Sequence, residues 1–515
     1  MAARFRLALR AALALCVMGA FPARVFSQEE VESLEVTEGL KPYQVLQCNG
    51  AGNARIALAG ATSFAGEATV QVRVQPQSRI GFWRWFDAGS SEDNRWSAEI
   101  REIPAGGPYR VEIRLRSEGD EVAKVSIDHI LVGDLWILAG QSNMQGVGNN
   151  IDVAAPDDRV HVFAMNDEWR VAEEPLHRLG ESRDFVHSKV EDESERMNLV
   201  QDVSGWTKGA GLGLPFAKEM VRRTGRPVGL IPCAHGGTSM KQWDPALRDA
   251  GGNSLYGAMY RRFLAAGGNV RGVLWYQGES DANPDDAPKF LGRFLSFVQS
   301  VRDDFDAPEL PFYYVQIGRF VTEGDPVFWN TVQVMQLQAD ALLLNSGMVT
   351  SIDLPLDDNI HIGTDGLKTL GYRLANLAAR DLFGQDSLDR GPRLDAVTRV
   401  DTPYGPELHL TFDTVNGRLT SDGPVTGFSL SDANGNDLHA VFRQQLNPDD
   451  PKSIILHAGK ISEDAQLWYG KGLNPRCTVS DSAGAALPVF GPIDLGAVKP
   501  KPVEEADMPP DGDVH

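Results

Sequence analysis

The chain has 515 residues, 42% hydrophobic and 23% charged, which fits a globular protein with two to four domains and sizeable cores. Its formal charge is −21; residues 1–27 hold Arg4, Arg6, Arg10 and Arg24 and no acid, so their removal would leave −25. Such a surface repels phosphate backbones and anionic membranes, which excludes nucleic acid and a membrane surface as expected partners of the mature form.

In chain order, the first feature is a hydrophobic stretch over residues 7–21, preceded by Arg4 and Arg6, interrupted by Arg10 and too short to span a bilayer. With Val25-Phe26-Ser27 as a small-residue cleavage site before Gln28, residues 1–27 read as a secretory signal, and a periplasmic or extracellular location is expected. Leu15 before Cys16 is large where lipoprotein processing wants a small residue. The mature chain keeps Cys48, Cys233 and Cys477, far apart and without CxxC spacing. They form no disulfide framework, and whether any two pair is open.

Residues 28–133 read as a β module. The stretches Ala68-Thr-Val-Gln-Val-Arg-Val74 and Tyr109-Arg-Val-Glu-Ile-Arg-Leu-Arg116 alternate with period two, which implies one buried and one wet face. Between them, Ile80-Gly-Phe-Trp-Arg-Trp-Phe86 is either core packing or a sugar-stacking platform, and 104–108 is a Pro/Gly turn, as suits a small sandwich.

From 134 to 385 short apolar strands alternate with helices. Helices are predicted over 211–225, 255–266, 288–305, 332–344 and 366–382, and strands over 228–232, 272–276, 311–316 and 347–352, after the buried run Leu135-Trp-Ile-Leu-Ala139. This pattern is a three-layer α/β/α domain with a parallel sheet covered on both faces. Residues 180–205 are polar, aperiodic and too long for an ordinary connection, and read as an excursion near the site. Residues 386–498 return to alternation, with turn signals at Asn416-Gly417 and Asn434-Gly435, and form a second β module. The tail 499–515 cannot bury a core and is expected to be disordered.

The candidate chemistry lies in four loops that follow strands of the α/β unit, where open sheets place their sites. Gly140 ends the first strand and Gln141-Ser142-Asn143 follows; Ser142 is a helix cap or a nucleophile. Cys233-Ala-His-Gly-Gly-Thr-Ser239 carries paired glycines whose N–H groups can approach an oxyanion, with His235 beside them as a substrate ligand or a turn residue. In Gln277-Gly-Glu-Ser280, Gln277 can donate to an oxyanion, and Glu279 is catalytic or a buried, paired carboxylate. In Asp357-Asp-Asn-Ile-His361, Asp358 can hold one imidazole nitrogen of His361 while the other faces away, as a serine base requires.

Gly140-Gln-Ser-Asn-Met144, Trp275-Tyr-Gln-Gly-Glu-Ser280 and Asp358-Asn-Ile-His361, in this order and on these elements, resemble the sialate O-acetylesterase family of SGNH hydrolases, with the family-six carbohydrate acetylesterases as close relatives. The resemblance covers about residues 105–385 and implies an SGNH-type α/β/α domain flanked by β-sandwich-like modules. It implies Ser142 as nucleophile, His361 as base and Asp358 as orienting acid, with Gly236 or Gly237, Gln277 and the Ser142 N–H as the oxyanion hole. Gln141, Asn143, His235 and Glu279 are the candidate substrate-binding residues. The expected partner is an acetylated carbohydrate, with no metal or other cofactor; no HExxH or CxxC spacing occurs. Ile362 stands where many sialate-type members have Pro after the base histidine, and Leu354-Pro-Leu-Asp-Asp-Asn-Ile-His361 is closer to plant-type acetylesterases. The competing readings are a hydrolase of non-carbohydrate esters and a carbohydrate-binding protein with a relic site.

Overall fold

The computed structural model describes residues 32–78, 83–384, 388–496, 498, 500 and 501. The leader, Cys16, Ile80, Gly81, Phe82 and most of the tail lie outside them. One strand, Asp120–Gly140, organises the chain. Its first half mixes wet and buried positions, because it closes an antiparallel module, whereas every residue from 130 to 140 is buried, because strands and helices then cover both its faces.

The antiparallel part runs, in spatial order, Leu34–Glu38, Asn53–Thr62, Arg95–Pro104, Phe86–Glu92, Ala68–Pro76, Gly106–Ser117 and Asp120–Gly140. Val70, Val72, Trp96, Ile113 and Leu115 fill its own core. The expected boundary at 133/134 therefore falls inside a single strand, and the N-terminal module and the α/β unit share one 14-stranded sheet. Alternation reports which face is wet and not where a strand's neighbours change, so the continuity was invisible to it. Glu112, placed by alternation on the wet face, is buried between Arg73 and Lys124, at 2.5 and 2.8 Å.

In the α/β unit the parallel order is Val160–Phe163, Val228–Pro232, the second half of Asp120–Gly140, Gly272–Tyr276, Phe312–Gln316 and Ser346–Thr350, with Trp169–Val171 antiparallel at one edge. Helices Gly213–Thr224, Leu255–Ala265, Phe290–Asp304, Val327–Leu342 and Thr364–Phe383 cover it. The fourth begins five residues before its expected start, because Asp325 Oδ1 accepts the Val327 N–H at 3.0 Å and Pro326 precedes the first turn. A large cluster built on Trp136, Trp243, Trp275, Tyr313 and Phe216 forms this unit's core.

The C-terminal module has a sheet of Val441–Leu446, Ser453–Ala458, Gly405–Asp413 and Arg393–Thr402, and a second of Phe428–Ser431, Gln466–Tyr469 and Phe490–Asp494, around Leu408, Leu456, Leu467 and Tyr469. Asn416-Gly417 turns the chain between strands of different sheets, whereas Asn434-Gly435 closes a tight hairpin reversal, with Ser431 and Asp437 in an antiparallel bridge and the Leu438 N–H donating to Leu430 O at 2.8 Å. The tail departs from expectation at its start, where Pro500–Lys501 pairs in parallel with Arg393–Thr402. Cys48, Cys233 and Cys477 are free, each buried in a different one of the three cores. Among the described residues no helix is long and apolar enough to cross a membrane.

Candidate active site

Ser142 owes its place to a strand end that only glycine can make. Gly140 has φ +130°, and a Cβ there would sit 2.2 Å from the Tyr276 carbonyl oxygen. The chain then leaves the sheet between its neighbours: the Gln141 N–H donates to Tyr276 O at 2.8 Å and the His235 N–H to Gly140 O at 3.0 Å. Ser142 opens the one-turn helix Ser142–Gln145.

Ser142 Oγ lies 3.0 Å from His361 Nε2, and His361 Nδ1 lies 2.8 Å from Asp358 Oδ2. With Nδ1 carrying the proton toward the carboxylate, Nε2 is left as an acceptor facing the serine hydroxyl. Asp358 Oδ1 accepts the backbone N–H groups of Ile360 and His361 at 3.0 and 2.8 Å. Burial alone would raise the Asp358 carboxyl; the bonds from His361, Ile360 and Lys208 together hold it well below the usual carboxylate range. It is therefore a carboxylate at neutral pH.

The glycine turn lies against the serine. A Cβ on Gly236 would approach Ser142 Cβ to 3.4 Å and Gln145 Oε1 to 3.2 Å, and Gly237 has φ +69° with open space around it. The Gly236 N–H is taken by Gln145 Oε1 at 2.8 Å. Among the described residues, the Ser142 and Gly237 N–H groups have no hydrogen-bond acceptor within the protein.

Gln277 differs from its sequence expectation as a donor toward the oxyanion. Its side chain is fully buried, and Nε2 donates to Thr238 O at 3.0 Å and to the Asp281 carboxylate. The amide hydrogens thus brace the floor beneath the glycine turn. Asn143 is likewise occupied: Nδ2 donates to Glu279 Oε1 at 2.8 Å and Oδ1 accepts the Ile362 N–H at 3.0 Å. Gln141 Oε1 accepts the Ser280 N–H at 3.3 Å. Burial pushes the Glu279 carboxyl up, and its Oε2 has no partner among the described residues.

Two residues that sequence reasoning missed complete the surroundings. Lys208 Nζ lies 2.9 Å from Asp358 Oδ2. His187, on the helical turn Phe185–Ser188 of the 180–205 excursion, stacks on His235 with the two Nδ1 atoms 3.0 Å apart. Burial lowers both imidazoles, so the pair is neutral and shares one proton between the facing nitrogens. Neither residue has a sequence signal, since both sit in or just after an aperiodic stretch. That stretch is anchored by Arg261, whose guanidinium binds Asp184 at 2.6 and 2.7 Å. Among the described residues no group of three or more His, Cys, Asp or Glu side chains is arranged to hold a metal ion.

Residues 132–380 match the family model described as carbohydrate esterase, sialic acid-specific acetylesterase. A probable carbohydrate esterase of Arabidopsis thaliana is 30% identical over 267 residues, covering 47% of this chain and 88% of that protein. The human sialate O-acetylesterase is 23% identical over 361 residues, covering 62% of this chain and 66% of that protein. Among solved structures, a carbohydrate acetylesterase from Xanthomonas citri is similar with TM-score 0.61 and 21% identity, over 88% of this chain and 99% of that one. The fold is thus that of the SGNH-type carbohydrate esterases.

Proposed function

The chain belongs to the carbohydrate esterase family of sialic acid-specific acetylesterases, hydrolases that act on esters, and from that premise we propose that it is an exported serine esterase that removes acetyl groups from carbohydrate. The observation that carries this reading is the pair of hydrogen bonds through the two ring nitrogens of His361, 3.0 Å to Ser142 Oγ and 2.8 Å to Asp358 Oδ2.

In the proposed reaction His361 Nε2 takes the Ser142 proton as Oγ bonds to the acetyl carbonyl carbon. The Asp358 carboxylate holds the imidazole and stabilises the imidazolium. The carbonyl oxygen becomes an oxyanion facing the Ser142 and Gly237 N–H groups, each such donor being worth on the order of 10²-fold to 10³-fold in rate. Collapse breaks the ester bond, and the proton passes from His361 to the departing sugar hydroxyl. Water then attacks the acetyl-enzyme with His361 again as base; acetate leaves and the serine is restored.

Glu279 and His235 are proposed as sugar ligands: Glu279 Oε2 is without a partner among the described residues, and His235 borders the Gly236–Ser142 contact. The N-terminal pattern of residues 1–27 supports export. The test is acetate release from p-nitrophenyl acetate and from a panel of acetylated xylan, O-acetyl sialic acid and mono-acetyl sugars, with Ser142→Ala as control. Loss of activity in the variant is expected, and the preferred panel member names the sugar; a variant as active as the parent overturns the serine mechanism.

A further inference from the structure

We propose that Lys208 is a positioning residue of the relay, a cation that anchors Asp358 and opposes a second positive charge on His361. The inference rests on the serine-esterase reading and deepens it.

The observation is that Lys208 Nζ and His361 Nδ1 meet the same carboxylate oxygen, Asp358 Oδ2, at 2.9 and 2.8 Å. Oδ1 is occupied by two backbone N–H groups, so the carboxylate has four donors and no spare direction. It can neither rotate away from His361 nor give its full charge to the imidazolium.

Lys208 is delivered by the backbone. It pairs with Asn149 in the short antiparallel ladder of Lys208–Ala210 with Gly148–Asn149. That ladder is stitched to the loop of the base, since the Asn149 N–H donates to Asp357 Oδ2 at 2.7 Å and Thr364 Oγ1 donates to Asn149 O. Asn150 Nδ2 adds a bond to Lys208 O at 3.0 Å. The segment 150–207, which contains the aperiodic stretch, thus leaves from and returns to the ladder beside the base loop.

The charges facing His361 are few: Asp358 on its own loop, Lys208 beyond it, and the Glu279 carboxyl, held by Asn143, across the serine turn. Asp357 faces Asn149, and Arg319 is turned to Leu354 O. Among these Lys208 is the cation whose removal changes the charge balance at the imidazole. The side chains of Lys208, Asp358 and His361 are 43%, 33% and 25% exposed, so solvent weakens the coupling, and a shift of about half a pH unit is the scale to expect.

The experiment compares pH profiles of kcat/KM on p-nitrophenyl acetate for the parent, Lys208→Met and Lys208→Arg, at low and at 0.5 M NaCl. Expected in Lys208→Met is an acid limb moved about half a unit toward higher pH, with the plateau lowered less than about tenfold. Lys208→Arg restores the limb. Salt narrows the gap between the parent and Lys208→Met limbs, because it screens the lysine in the parent, while Asp358 and Glu279 are screened alike in both. A Lys208→Met acid limb superposed on the parent's, with the rate lowered equally at all pH, would mean a merely structural lysine and overturn the inference. An inactive parent or an active Ser142→Ala variant overturns the esterase reading instead, so the two failures are distinct.

Discussion

Asn143, the residue after the serine, accepts through Oδ1 the N–H of Ile362, the residue after the histidine, at 3.0 Å. Its Nδ2 simultaneously holds Glu279 at 2.8 Å. One buried amide therefore sets the spacing of three strand-end loops, and the 3.0 Å Ser142–His361 contact depends on it. Asn143→Ala removes that tie and leaves the buried Ile362 N–H unpaired, a cost of about 1–3 kcal/mol in stability. A misplacement near 1 Å costs on the order of 10²-fold in rate. We expect kcat on p-nitrophenyl acetate to fall roughly 10-fold to 100-fold with KM little changed; an unchanged kcat would show that the loops hold their spacing without it.

The two glycines of the His235 turn should respond differently. Alanine at position 236 puts a Cβ 3.4 Å from Ser142 Cβ and 3.2 Å from Gln145 Oε1, so the turn must yield by a few tenths of an ångström at the serine itself. At position 237 there is room, but the φ of +69° costs an L-residue about 1–2 kcal/mol. Gly236→Ala is expected to lower kcat by on the order of 10-fold to 100-fold with a small change in Tm. Gly237→Ala should lower Tm first. Paired thermal melts and rate measurements separate the two; equal effects of both variants on kcat would contradict this division.

How much of this was legible follows from which forces leave a pattern in sequence. The strand before Ser142 shows as an unbroken apolar run, because burial on both faces demands one, and Asp358 and His361 show because a short helix-entrance spacing places both. Gln277 was located correctly on its strand end, but its amide follows Asp281, four residues further on, and no spacing rule says which way an amide turns. Lys208 and His187 reach the site through a ladder two residues long and a single helical turn, too short for periodicity to register. The N-terminal boundary fell inside a strand because alternation fades gradually where one sheet passes from half-wet to fully buried.

Arg262 ties the ends of the two strands on the glycine-turn side of the serine. Fully buried, it donates from Nε to Pro232 O at 3.0 Å and from Nη2 to Phe163 O and Ala164 O at 2.6 and 3.0 Å, while Nη1 meets Asp167 at 2.8 Å. Lysine has no planar fork and would leave most of these acceptors unpaired. Arg262→Lys should cost about 3 kcal/mol or more in a urea titration. A loss below about 1 kcal/mol would mean that the carbonyls find other donors.

Glu174 gives the fold a pH dependence near neutrality. Its carboxyl accepts the N–H groups of Gly211 and Leu176 at 3.2 and 3.1 Å, yet burial outweighs these bonds and pushes it up to about 7. The unfolded chain loses this proton near pH 4.5 and the folded chain near 7, so between those values the folded state holds one proton more. Stability from this group is therefore greatest below pH 4.5, falls as pH rises through the window, and is lowest above 7. Glu174→Gln cannot titrate, and it also exchanges one accepted bond for an amide donor, a penalty the same at every pH. The stability of the variant relative to the parent should accordingly improve between pH 5 and pH 8 by on the order of 2 kcal/mol, whatever its offset. Urea titrations of both proteins at pH 5, 6, 7 and 8 measure the difference directly. A difference flat across that range would place the titration elsewhere, and one that worsened with pH would reverse the sign of the burial effect.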